Sequence, residues 1–367
     1  MITVWDYLEE YENEKEEIHE AIETVLSSGW LILGNQVKDF EKAFARYCGV
    51  PYGVGVNSGT DALFLALKAI GVGNGDEVIT VANTAVPTVS AIVSAGAIPR
   101  FVDIDPKTYL MDTTLLEKTI TDKTKCILPV HLYGQCVDMD QVNSIAEKYS
   151  LSVLEDCAQS HGAEFNGKKA GAMSDLAAFS FYPTKILGGY GDGGMVITRN
   201  EETYKKLIRL RFYGMEKGYY AIEHGYNSRL DEMHAAILLK KLGHLDEYIS
   251  RRREIAALYD KKLADTPLGL PQRDNRCNHA FYLYVCRHPK RDELIAALKE
   301  KNISLNISYP WPIHIMEGYR DLRYKDGDFP LTEKTANEIF SLPMYPALKK
   351  NQQLVVIQAL KDILKKL

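Results

Sequence analysis

The sequence has no CxxC pair. Its six cysteines, Cys48, Cys126, Cys136, Cys157, Cys277 and Cys286, stand far apart, which excludes zinc-site spacings and a disulfide framework and predicts reduced thiols. It has no apolar run of membrane-spanning length. It has no basic excess either: 44 Lys and Arg are interspersed with 49 Asp and Glu for a net charge of −5, so electrostatics favours neither nucleic acid nor an anionic membrane as a partner. The opening stretch MITVWDYLEEYENEKEEIHE is acidic where a signal peptide is basic, and a soluble, cytoplasmic protein is expected. The Asn-x-Ser matches at Asn302 and Asn306 then carry no glycan. Repeats and low-complexity linkers are also missing, so packed domains are expected in place of tethered ones.

What the chain does contain is 367 residues, enough for a large α/β domain carrying a smaller one. Short apolar runs at 53–56, 77–81, 99–104, 125–132 and 151–156 read as buried strands. Amphipathic stretches at 61–70, 88–95 and 140–149 read as the helices between them, the pattern of a mostly parallel sheet covered by helices. From Asp231 a long helical pattern broken only by Gly243 leads towards a second unit. That unit holds a strand at 282–287 and helices at 291–302 and 352–367. The expected division is a large domain over 1–245, whose N-terminal helix packs on the small domain, and a small C-terminal α/β domain over 246–367.

Four places point to chemistry. In FSFYPTKILGGYGDGG, Lys185 is the one lysine among aromatic, small and glycine residues; desolvation there favours a neutral amine able to attack a carbonyl. In NSGTDALFLALKAIG, Gly59 and Thr60 stand where a strand gives way to a periodic helix. This is either an anion site built on free amides and the helix dipole or an ordinary N-cap by Ser58 or Thr60. Asp156 closes a predicted interior strand, where α/β sheets place ligand-contacting groups. It is either the partner of a bound cation or a structural cap, and Glu155 points to the opposite face. Ser180 is either a second hydroxyl for the same anion or a core serine. Two other matches fail. Gly162–Lys168 resembles a P-loop, but Lys169 follows where magnesium ligation needs Ser or Thr. Gly189, Gly191 and Gly194 fit GxGxxG but precede the strand-like MVITR, where a dinucleotide site needs a helix. His131, His161 and His314 lack metal-ligand spacing.

Taken in order, NSGTDAL, PRFVDID, PVHLYGQCVDMD, LEDCAQSHGA, FSFYPTK, GDGGMVITRN, GYNSRLDEMHAAIL and SLPMYP resemble the fold type I pyridoxal-phosphate enzymes. More narrowly, they resemble the nucleotide-sugar aminotransferases of the DegT/DnrJ/EryC1/StrS family. The resemblance implies pyridoxal 5'-phosphate as cofactor, with pyridoxamine phosphate as its intermediate form and Lys185 as the Schiff-base lysine and proton shuttle. It implies Asp156 at the pyridine nitrogen, Ala158 against one ring face and Gln159 at the ring oxygen. The phosphate would be held by Gly59, Thr60 and Ser180, with Asn227 reaching in from the second subunit of a homodimer. Tyr182, Tyr309 and His314 are the implied contacts of the sugar nucleotide. Two departures stand out: Ala85 where relatives often place an aromatic ring over the cofactor, and Ile186 where Asn often follows the lysine.

The implied reaction is ping-pong transamination from L-glutamate to a nucleotide-linked keto sugar. The wording of SFYPTK and VHLYGQ is more similar to members acting at C3 of dTDP-3-keto-6-deoxyhexoses than at C4 of UDP-, GDP- or dTDP-4-keto sugars. The product would be a dTDP-3-amino-3,6-dideoxyhexose for lipopolysaccharide, another surface glycan or a glycosylated metabolite. A pyridoxamine-dependent sugar dehydratase would replace the lysine, and a non-catalytic regulator would not need the lysine, acid and phosphate elements together.

Overall fold

The computed structural model describes residues 1–367. Seven strands form the central sheet in the order Tyr52–Val56, Gly194–Thr198, Leu176–Ser180, Ser152–Asp156, Thr124–Ile127, Glu77–Val81, Ile98–Val102. Only Gly194–Thr198 runs against its neighbours; the other pairings are parallel. Strands such as EVITV and LAAFS are buried along their whole length, as a sheet covered on both faces requires. The largest core holds 67 buried residues around this sheet. Each fully buried aliphatic side chain in it contributes about 1.5–3 kcal/mol.

The expected strand at 125–132 is shorter, Thr124–Ile127. Pro129 has no N–H to give a ladder, and the chain beyond it makes only the isolated bridge from Val130 to Asp156 before a short 3-10 turn at Leu132–Gly134. The expected strand at 99–104 is Ile98–Val102. The long helical pattern is two helices, Glu232–Leu242 and Leu245–Leu263, parted at Gly243.

A separate core of 21 buried residues gathers side chains from Leu245–Leu263, Arg291–Glu300 and Lys350–Leu364 around the antiparallel pair Tyr284–Arg287 and Ile339–Leu342. The N-terminal helix, Leu8–Ser28, does not pack on this second core. Its Ile18, Ala21 and Val25 meet Ala236 and Ile237 of Glu232–Leu242. It is the extended residues before that helix that reach the second core: Ile2 bridges Ile303, the Val4 carbonyl accepts from the Met344 N–H, and Trp5 packs alongside.

Candidate active site

A cavity of about 300 Å³ opens where the strands Ser152–Asp156 and Leu176–Ser180 end and the helix Gly59–Ala69 begins. The helix starts there because the Ser58 hydroxyl caps it, accepting the Asp61 N–H at 3.1 Å. Ser58 is therefore the N-cap, and the Thr60 hydroxyl, which lines the cavity, makes no hydrogen bond inside the chain. Gly59 has to be glycine: a Cβ would stand 2.6 Å from Ser180 Cβ. This close approach sets Ser180, whose hydroxyl accepts the Tyr182 N–H at 3.3 Å, beside the amides and positive dipole end of the helix. Together they make an anion cradle.

Asp156 forms another wall. It is 4% exposed, and its carboxylate accepts from the Thr88 hydroxyl at 2.8 Å and the Ala158 N–H at 3.1 Å. Thr88 is itself paired with Thr84 at 2.9 Å. Burial raises the pKa of Asp156, while the Ala158 amide, the Thr88 hydroxyl and the charge of Lys185 pull the other way. No cation reaches hydrogen-bonding distance, so a buried negative charge stands incompletely compensated.

Lys185 also lines this cavity. A tight reversal carries it: Lys185 N–H donates to the Tyr182 carbonyl at 2.9 Å and Gly189 N–H to that of Phe181 at 2.8 Å. The chain folds back so closely that a Cβ on Gly188 would meet the Pro183 carbonyl oxygen at 2.4 Å. The lysine amine makes no hydrogen bond or ion pair and sits 4.8 Å from the centre of the Tyr282 ring, which Thr184 fixes through a 3.0 Å hydroxyl contact. The glycines after Lys185 thus serve the turn, and Gly194 opens a strand.

Ala158, Gln159 and Tyr182 line the same space. Gln159 accepts the Tyr133 N–H at 2.8 Å and donates its amide to the Tyr309 hydroxyl. Both tyrosines are held in the left-handed backbone region, with φ of 61° and 64°, a strain that persists only where surrounding contacts over-determine it. Ala85 lines the cavity across from these residues, and it brings no ring there.

The structure does not bring His314 or Asn227 to this cavity. Pro312 leads into a short 3-10 turn that buries His314; its Nε2 lies 2.9 Å from Glu333 and its ring packs edge-on against Phe329. Asn227 is exposed, bridged to Phe212. Thr84 and Thr88 are site residues that the sequence reading passed over. The signal was the hydroxyl-rich VANTAVPTV directly after a buried strand. His131, Glu155 and Cys157 do converge within 4.8 Å, but their atoms are occupied. His131 Nδ1 accepts the Val137 N–H, so its Nε2–H donates to Glu155 at 2.9 Å. Glu155 also accepts from Gly171, Met173 and Ser174.

Residues 12–361 match the DegT/DnrJ/EryC1/StrS aminotransferase family. The chain belongs to it. A dTDP-3-amino-3,4,6-trideoxy-alpha-D-glucose transaminase from Micromonospora megalomicea subsp. nigra is 53% identical, covering 98% of both chains. A pleiotropic regulatory protein from Geobacillus stearothermophilus is 45% identical over the same shares. The crystal structure of S. venezuelae DesV in complex with a ketimine intermediate superposes with a TM-score of 0.98 at 40% identity, covering 100% of this chain and 99% of that one.

This member of the family is an aminotransferase, and its cofactor is pyridoxal phosphate. The cavity fits that group on its own terms: a cradle for a phosphate at one end, an under-compensated buried carboxylate for a pyridinium at another, and an unpaired lysine amine. No helix is long and apolar enough to cross a membrane.

Proposed function

We propose that this aminotransferase moves an amino group from L-glutamate to C3 of a dTDP-linked 3-keto-6-deoxyhexose. One observation carries the reading: Lys185 and the buried Asp156 share one cavity with the Gly59–Thr60–Ser180 cradle, in a chain so similar to a dTDP-3-amino-sugar transaminase. When bound, pyridoxal phosphate supplies the electron sink that stabilises charge at the donor's α-carbon. Asp156 would keep the ring nitrogen protonated, and its burial would make that pairing stronger than in water. The Gly59 and Thr60 amides with the Thr60 and Ser180 hydroxyls would hold the phosphate, and Ala158 and Gln159, on the same cavity wall, would hold the ring. Lys185 Nζ would be the attachment point and, once free, the base that carries the proton between the donor's α-carbon and the cofactor's former aldehyde carbon, on the far side of the shared nitrogen. Tyr182 and Tyr309 contact the sugar nucleotide.

In this reading residues 1–245 are the cofactor-binding domain and 246–367 the smaller one. Asn227, exposed in the single chain, completes the phosphate site of a partner subunit in a cytoplasmic homodimer. The amino sugar produced serves lipopolysaccharide or another glycan. Incubation with ¹⁵N-glutamate and the dTDP-3-keto sugar tests this: the product should carry ¹⁵N at C3. Transfer only to a 4-keto sugar, or none, overturns it. Mixing Lys185→Ala and Asn227→Ala chains should restore some activity if sites are shared, and no restoration counts against the dimeric site.

A further inference from the structure

Lys185 lines a second cavity, of about 200 Å³, on whose wall Arg252 and Lys241 also stand. The two cations differ in how they are matched. Lys241 Nζ is held by Glu10 and, at 3.1 Å, by Glu14. Burial disfavours its charge, yet these carboxylates outweigh that and hold its pKa above the usual value. Arg252 has no carboxylate partner. It is 2% exposed; its Nη1 donates to the Phe281, Tyr282 and Met344 carbonyls at 3.2, 3.2 and 2.8 Å, and its Nε is buried with no partner at all. Burial pushes its pKa down to about 10, which leaves it cationic at neutral pH. A buried, unpaired guanidinium beside a cavity is costly by itself and is the group that accepts a carboxylate in a fork geometry.

Trp5 and Tyr7 stack at 5.3 Å and line the same cavity, offering an apolar surface to a short aliphatic stem. Glu10 on the lining opposes a multiply charged anion, so a single carboxylate suits the space better than a diphosphate. We propose that this cavity is the donor subsite, in which Arg252 binds a carboxylate of the incoming α-amino acid while Lys185 faces both donor and cofactor. This rests on the transaminase reading above and adds where the donor is recognised.

The test is a single-turnover titration of the holoenzyme, following the cofactor's visible band. In Arg252→Lys the apparent Kd for L-glutamate should rise about tenfold or more, with the Kd for the nucleotide sugar unchanged. An unchanged glutamate Kd overturns the subsite, and a selective rise for the nucleotide sugar assigns Arg252 to the acceptor diphosphate instead. Because Arg252 also ties three carbonyls, a crystal of the wild-type holoenzyme soaked with glutarate gives an independent reading. A glutarate carboxylate on the Arg252 guanidinium supports the proposal, and glutarate bound only elsewhere, or not at all, overturns it. A wild-type holoenzyme whose band ignores glutamate overturns the transaminase reading itself, a result distinct from an unchanged Arg252→Lys.

Discussion

Glu155 and Asp156 are consecutive residues of one strand, both buried, and the two sides of the sheet treat them in opposite ways. Glu155 receives four donors, from His131, Gly171, Met173 and Ser174, and ties the loop 171–174 to the strand. Asp156 receives two, from Thr88 and Ala158, and its pKa is driven up by burial. A carboxylate whose acceptors are filled is architecture; a buried one left short of donors beside a cavity is waiting for a cation. The same contrast separates the cations, Lys241 with its two glutamates from Arg252 with none.

Substitutions can break this comparison from either side. The largest effect is expected at the amine the pair serves: Lys185→Ala should lower turnover on the order of 10⁴-fold with unchanged thermal unfolding, measured by coupled assay and calorimetry. Glu155→Gln comes next. It turns an amide towards groups that are themselves donors, and should destabilise the fold by about 3–5 kcal/mol in denaturant titration, while activity per folded molecule is retained. Asp156→Asn should do the reverse, with turnover falling roughly 10²-fold.

The stability of the apoprotein sharpens the contrast. Because burial raises the Asp156 pKa, the ionised form costs stability in the folded chain. That cost is absent below the unfolded value of about 3.9, grows as pH rises towards the folded value, and is complete above it. Asp156→Asn apoprotein should therefore be more stable than wild type at neutral pH, by about 1 kcal/mol, and the advantage should vanish in acid. An apoprotein destabilised at neutral pH would place Asp156 with Glu155 as architecture. The smallest effect is expected for Thr88→Val, which removes one donor from Asp156: cofactor affinity should change only about fivefold.

Much of this was legible in the residues. Buried β-branched runs mark the sheet, Gly243 marks the helix break, and Asp156, Thr60, Ser180 and Lys185 stand out by residue type and position along the chain. The cap at Ser58 was one of two open choices until the geometry showed which hydroxyl meets Asp61 N–H. Thr88 was hidden because a hydroxyl reads as a helix-start residue; only the fold reveals that it faces a strand end 68 positions away. The helix Leu8–Ser28 buries only Glu14, Ile18, Ala21 and Val25, too thin an apolar stripe to announce its partner. His314 misled because its distance from the cavity is set by tertiary packing on Phe329, which no local pattern encodes.

The central claim is that Lys185 is the amine that holds the cofactor. Borohydride reduction of the holoenzyme followed by peptide mapping should find the pyridoxyl label on Lys185 in the FYPTK segment, and a label carried by any other lysine would contradict the account.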